Sequence, residues 1–228
     1  MAWHAKNTYG YVRTTTEAQD NAKEIYNTLY GLGWTLNAVA AMLGNVEAES
    51  GYNPWRWQGE TILPMGDSRI GYIGGGSTGH AYGLCQQDPA AKYLLRPYAQ
   101  ALPNFDPHYS DRQGSPSDGI AQLQYLHWIC SQGEPEWKQW HAQYWMPFNQ
   151  FITSTSEDIE YLTHVFFDCY ERGTWYNDRS IASQYWYSYL QNYAPQPPDP
   201  PPPPPGEHFP IWLLFKIYAN NMKGGYPF

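Results

Sequence analysis

Positive charge is scarce in this sequence. Thirteen lysines and arginines stand against 21 aspartates and glutamates among 228 residues, for a net charge of −8. No basic cluster or stripe is present to meet phosphates, which excludes a nucleic-acid-binding role. Binding to other polyanions, such as teichoic acids, is disfavoured on the same ground. Cysteine is equally sparse: Cys85, Cys130 and Cys169 are too few and too scattered for a disulfide scaffold, and their odd number points to synthesis in a reducing compartment. No apolar run approaches the length of a membrane span. The segment Met1-Ala2-Trp3-His4-Ala5-Lys6-Asn7 has no charged region followed by an apolar one, so no secretory signal is visible.

Aromatic residues are abundant instead, at 18% of the chain with 11 Trp and 21 Tyr. Such side chains fill cores, and their flat faces also stack on sugar rings. Most are expected in the core, leaving a minority free for a carbohydrate. The chain is long enough for one domain with appendages.

Helical periodicity sets the main domain. Thr16, with Gln19 three residues on, reads as a capping box, and Ala18, Ala22, Ile25 and Leu29 recur at helical spacing up to Gly31 and Gly33. Thr35 is the next expected N-cap, with Trp34 and Val39 placed as a hydrophobic staple. Leu36, Val39, Leu43 and Val46 form the stripe of a second helix, which Gly51 stops and Asn53-Pro54 keeps stopped. Residues 55–80, including Gly74-Gly75-Gly76, lack helical period and predict a small β or loop lobe. Further helices are predicted near 117–129, 137–151, 157–171 and 178–192. Half of all prolines then fall between Pro195 and Pro210, which predicts a stiff polyproline spacer. The expected organisation is an arm over 1–16, a mainly α-helical domain over 17–194, a linker over 195–206 and an apolar tail over 207–228. Ile211–Tyr218 is too short to cross a bilayer and too apolar to stay in water alone, so docking on a partner protein or a second copy is expected.

The segment Leu43-Gly44-Asn45-Val46-Glu47-Ala48-Glu49-Ser50-Gly51-Tyr52-Asn53-Pro54 delivers carboxylates to the last turns of the second helix. On a helical wheel Glu47 and Glu49 flank the apolar stripe on opposite sides, and periodicity cannot choose between them. About thirty residues on comes Ala81-Tyr82-Gly83-Leu84-Cys85-Gln86-Gln87. A Glu-Ser-Gly turn followed by Gly-Leu-x-Gln resembles the lysozyme-like superfamily, and the full string is most similar to the phage tail lysozymes. The resemblance covers roughly residues 17–193.

The resemblance implies a lysozyme-like helical fold and selects Glu49, directly before Ser-Gly, as the acid that protonates a glycosidic oxygen. A glutamate half-buried in an apolar cleft has its charged form disfavoured and can hold a proton for this purpose. Tyr52, Trp55 and Trp57 follow Glu49 and are expected to supply that setting. A second carboxylate is usual in glycosidases, and Glu60 and Asp67, in the expected small lobe, are the candidates. Substrate assistance is the alternative. Ser50, Tyr52, Tyr82, Gln86 and Glu171 are expected to line the sugar site. For Ser50 the competing role is anchoring the turn after the helix, for Gln86 it is holding the backbone of a turn, and for Glu171, in Phe167-Asp168-Cys169-Tyr170-Glu171-Arg172, it is pairing with an arginine. Where relatives often carry a tryptophan after the glutamine, this chain has Gln87.

The function so implied is cleavage of the β-1,4 bond between N-acetylmuramic acid and N-acetylglucosamine in bacterial peptidoglycan, by an enzyme carried on a phage tail and using no cofactor. A lytic transglycosylase using the same Glu49, and a wall-binding structural tail protein, are the alternatives. A Cys85–His amidase and a zinc site from His127, Cys130, His164 and Cys169 fit the surrounding sequence less well.

Overall fold

A computed structural model describes residues 2–73, 79–132 and 136–196. The fold is mainly helical. In chain order the α-helices are α1 (Thr16–Gly31), α2 (Leu36–Ser50), α3 (Ala91–Leu94), α4 (Pro97–Gln100), α5 (Asp118–Ser131), α6 (Phe148–Ile152), α7 (Ile159–Phe166) and α8 (Asp178–Leu190). A single π-turn, Phe167–Glu171, extends α7. Among the described residues no helix is long and apolar enough to cross a membrane.

Helix α2 is the axis of the domain. Thr35 caps it as expected, accepting from the Ala38 N–H at 3.3 Å, and its hydroxyl also donates to the Ser154 carbonyl. Ala38 through Val46 are all buried, so the helix is enclosed on every side by α1, α7 and α8. This is why its hydrophobic stripe under-reports its burial. Gly51 ends it in the left-handed region at φ 53°, a conformation glycine adopts without steric penalty.

Gly44 has a different task. A Cβ there would stand 2.4 Å from the Arg179 carbonyl oxygen and 2.8 Å from the Ser183 Cβ, so its bare Cα is what lets α8 lie directly against α2. Gly→Ala in mid-helix ordinarily gains about 1 kcal/mol. Gly44→Ala should instead lose about 1–3 kcal/mol through overpacking, read as a lower urea midpoint; a gain would show that the α2–α8 approach is looser than this.

Two expectations are corrected here, and one alternative is resolved. The first helix is capped by Thr15, one residue earlier than expected, through an Ala18 N–H bond of 3.3 Å. The helix predicted over 137–151 is a 3₁₀ turn at Ala142–Tyr144 and the short α6; Pro147 cannot donate to a preceding turn and holds Met146 out of helical geometry. Residues 55–73 and 79–80 form loop, with 3₁₀ turns at Gln58–Glu60 and Ser68–Ile70, and the lobe is of the loop kind. Its strand-like features are isolated antiparallel bridges, Trp57 to Tyr82 and Tyr82 to Gln87. Gly74–Gly76 and, from residue 197 on, the proline-rich linker and apolar tail lie outside the described residues.

Residues 2–15 lie over the end of α2. Asn53 Nδ2 donates to the carbonyls of Lys6 and Thr8, Asn21 exchanges two bonds with His4, and the Tyr11 N–H reaches the Gly51 carbonyl at 2.7 Å. Asn53, read from sequence as a helix stop, also fastens this arm.

Candidate active site

The Asn-Val-Glu-Ala-Glu-Ser-Gly run has a separate physical task at nearly every polar position. Asn45 is fully buried; its amide nitrogen donates to the carbonyls of Ala41 and Thr163, and its Oδ1 accepts from Arg179 at 3.0 Å. Glu47 forms an ion pair with Arg13 at 2.8 Å and accepts from the Tyr52 hydroxyl. Glu49, on the opposite side, accepts from Arg179 Nη2 at 2.6 Å. The structure thus separates the two glutamates that the helical wheel could not. Glu47 braces the arm and the core, while Glu49 stands in a charged cluster with 22% of its side chain exposed.

That cluster is assembled from distant parts of the chain. Arg179, 5% exposed, rises from the first turn of α8 and lies 4.9 Å over the Phe167 ring. Glu171 enters from the π-turn after α7, the kind of irregular helical turn that is frequent at functional sites. Its Oε1 is sealed from solvent with no hydrogen-bond partner among the described residues, and the same holds for Arg179 Nε. Burial and the neighbouring Glu49 push the Glu171 carboxyl well above the usual carboxylate range, against the pull of Arg179 and Arg172. Cys85, from the Gly-Leu-Cys-Gln segment, is close enough to sense both Glu171 and Glu49. Burial raises its thiol, the reverse of what a Cys nucleophile needs.

The two sequence motifs meet through Gln122 of α5. Its Nε2 donates to the Pro54 carbonyl at 2.9 Å and its Oε1 accepts from the Leu84 N–H at 2.8 Å. Gly83, at φ 88°, brings its Cα so close to Gln122 that a Cβ would sit 2.4 Å from Oε1. Gln86 Nε2 donates to the carbonyls of Arg56 and Gly83, at 2.9 and 3.0 Å, so its amide nitrogen takes the turn-holding role. Gln87 bonds the Tyr170 hydroxyl and ties this loop to the π-turn.

The other expected site residues are distributed as follows. Ser50, Tyr52 and Tyr82 are fully buried. Their hydroxyls serve Val46, Glu47 and Asp118 respectively, so each is engaged in a hydrogen bond within the protein. Glu60 is exposed, accepts from the Tyr9 N–H and pairs with Arg56 at 3.5 Å. Asp67 caps the Ser68–Ile70 turn, and its bonds to Arg69 lower its carboxyl to about 2; so strong an acid is a weak base. Glu171 is close enough to Glu49 to feel its charge, while Glu60 and Asp67 have arginine partners of their own. Trp57 is buried with its indole N–H on the His108 carbonyl, and Trp55 stacks on the His108 ring at 4.3 Å. Apolar shielding therefore falls on Glu171, beside Tyr170, Cys85 and Cys130. Of the candidate zinc ligands, His127 accepts from the Trp34 indole at 3.0 Å. Its ring is pushed down to about 4 by burial.

Arg179 escaped sequence reasoning. The signal that marks it is register: Arg179, Ser183, Trp186 and Leu190 share the buried face of α8, so a guanidinium occupies a core position, which is rare unless it has a buried anionic partner.

The model of a family described as phage tail lysozyme matches residues 20–190 of the chain. Morphogenesis protein 1 of Bacillus phage B103 is 32% identical over 191 residues, which cover 82% of this chain and 43% of that protein. The chain therefore spans less than half the length of that relative.

Proposed function

The chain belongs to the phage tail lysozyme family, and from that premise we propose that it is a muramidase. It hydrolyses the β-1,4 bond between N-acetylmuramic acid and N-acetylglucosamine, at a phage tail tip where local opening of the wall assists genome entry. The observation that carries this reading is Glu49 itself: a partly exposed carboxyl in the last turn of α2, held at 2.6 Å by Arg179 and faced by Glu171. Glu49 gives its proton to the glycosidic oxygen as the C1–O bond breaks. The positive charge that develops at C1 is met by water or by a group of the substrate itself. Glu60 and Asp67 stay the candidates from the loop lobe for activating that water; each would have to release its arginine first.

Support for a virion setting is of two kinds. One is the similarity to a phage morphogenesis protein. The other is the apolar segment Ile211–Tyr218 beyond the prolines, suited to docking on tail proteins or on a second copy.

Digestion of purified peptidoglycan, read by mass spectrometry, tests the reaction. Muropeptides with reducing N-acetylmuramic acid ends are expected. Products lighter by one water, with 1,6-anhydro ends, would reassign the chain as a lytic transglycosylase. No fragments from several wall types would favour the wall-binding structural reading.

A further inference from the structure

The loop between the π-turn and α8 is fastened at both ends around Arg179. At its start the Arg172 N–H donates to the carbonyl of Phe167 at 2.7 Å, and the ring of Phe167 lies under the Arg179 guanidinium. At its end Arg179 holds the loop and the candidate acid at once. Its backbone N–H donates to the Tyr176 carbonyl at 3.1 Å, and its Nη2 donates to Glu49 at 2.6 Å. The Tyr176 backbone and the Glu49 carboxyl thus share one partner, and Tyr176 is 59% exposed. Trp175, beside it, is only partly buried. Its ring has a set orientation: His164 stacks on it at 3.6 Å, Phe167 meets it at 5.3 Å and 76°, and its indole N–H donates to Asn177 Oδ1 at 3.3 Å. Tyr144 continues the stack beyond His164 at 4.4 Å. Single exposed rings are ordinary on a protein surface. Two adjacent ones, on a loop tied to the residue that holds the acid, make a surface for binding.

We propose that Trp175 and Tyr176 form a stacking subsite for an N-acetylglucosamine unit of the glycan strand, next to the Glu49–Arg179 pair. This rests on the hydrolytic reading above. A polymer with one bond at Glu49 runs on past it in both directions, so its neighbouring sugars meet whatever borders the acid. A pyranose ring has an apolar face of C–H groups, which matches the face of an indole or phenol, and an edge of hydroxyl and acetamido groups. The loop supplies partners for both: its two rings for the face, and the exposed Thr174 and Asn177 for the edge. With Oδ1 committed to the Trp175 indole, Asn177 offers its amide NH2 as a donor to an acetamido carbonyl. Asp178, exposed next in the chain, disfavours a neighbouring carboxylate. N-acetylglucosamine, which has none, therefore fits this place better than N-acetylmuramic acid with its lactyl and peptide substituent.

Binding can be read apart from cleavage. The full chain carrying Glu49→Gln is titrated with the hexamer of β-1,4-linked N-acetylglucosamine, by calorimetry and by NMR of the tryptophan indole N–H groups. The Trp175 indole signal, assigned by its absence from Trp175→Phe, is expected to move during the titration. Tyr176→Ala and Trp175→Ala, each added to that background, are expected to weaken binding by about tenfold. Tyr176 is exposed, so its variant decides the matter alone should Trp175→Ala fail to fold. No binding of the hexamer, an unmoved Trp175 indole, or an affinity unchanged in Tyr176→Ala would overturn the proposal. So would a chain that self-associates in sedimentation and loses this in Tyr176→Ala with sugar binding intact, since the face would then join two copies. The two readings fail separately. Wall cleavage by the wild type with an unchanged KM in Tyr176→Ala removes the subsite and leaves the hydrolase. Hexamer binding that depends on Tyr176, without wall cleavage by the wild type, keeps the subsite and removes the hydrolase.

Discussion

Glu49→Gln is expected to lower the rate of glycan cleavage by about 10²–10⁴-fold, the range supplied by a positioned general acid. The amide keeps the shape of the side chain, and its oxygen can still accept the 2.6 Å bond from Arg179 Nη2, but it has no proton to give. Stability should change little. Losing the ion pair to a guanidinium that is only 5% exposed is unfavourable, while removing one of two neighbouring carboxylates relieves repulsion with Glu171. Loss of turbidity of purified walls, measured beside the thermal midpoint, separates the two quantities. A variant that melts like the wild type and clears walls at the wild-type rate would remove Glu49 from the mechanism. Glu47→Gln is the informative companion, since Glu47 is committed to Arg13 and Tyr52 and its loss should register in stability before activity.

The largest stability effect should come from Asp118, at the start of α5. Its two oxygens accept from the hydroxyls of Tyr93 at 2.7 Å and Tyr82 at 3.3 Å, from Gln122 Nε2 at 2.7 Å and from the Asp106 N–H at 3.0 Å. These donors come from the Gly-Leu-Cys-Gln loop, from α3, from α5 itself and from the loop before it, so one carboxyl gathers the lobe opposite α2. Asp118→Ala strands several buried donors at about 1–3 kcal/mol each; partial relaxation brings the expected loss to about 4 kcal/mol, within reach of unfolding the domain.

The same group gives a pH signature. Burial raises the Asp118 carboxyl to about 7 from an ordinary 3.8, against the pull of its hydrogen-bond donors. The folded state therefore holds a proton that the unfolded chain releases. This contribution to stability is complete below about pH 4 and is lost as pH rises through about 7. Asp67, lowered to about 2, acts in the opposite sense: its contribution is present above 3.8 and lost as pH falls toward 2. Urea midpoints of wild type and Asp118→Asn between pH 4 and 8 should show a gap that narrows as pH rises. A constant gap would mean that Asp118 keeps the same protonation state throughout.

The helices were largely legible in the sequence where local chemistry suffices. Thr35, the apolar spacing of α2 and Gly51 mark both ends of that helix, because caps and periodicity act within a few residues. The π-turn was not legible. Its residues Phe167–Glu171 continue the pattern of α7, and only the wider turn determines that Glu171 is aimed inward. Tyr52 and Tyr82 show the same limit from the other side. A hydroxyl or phenol beside a catalytic motif suits a sugar contact and a buried hydrogen bond equally well, and the packing of α2 against α8 selects the second.

The sequence by itself determined the family, the mainly helical class and a glutamate at the C-terminal end of the second helix, since each depends on residues close together in the chain. Tertiary structure alone decided what that glutamate meets. Arg179 and Glu171 lie more than a hundred residues beyond Glu49, and helical periodicity carries no information over that distance. They arrive because Gly44 leaves room for α8, and because Asn45 joins both α7 and α8 to the axis of the fold.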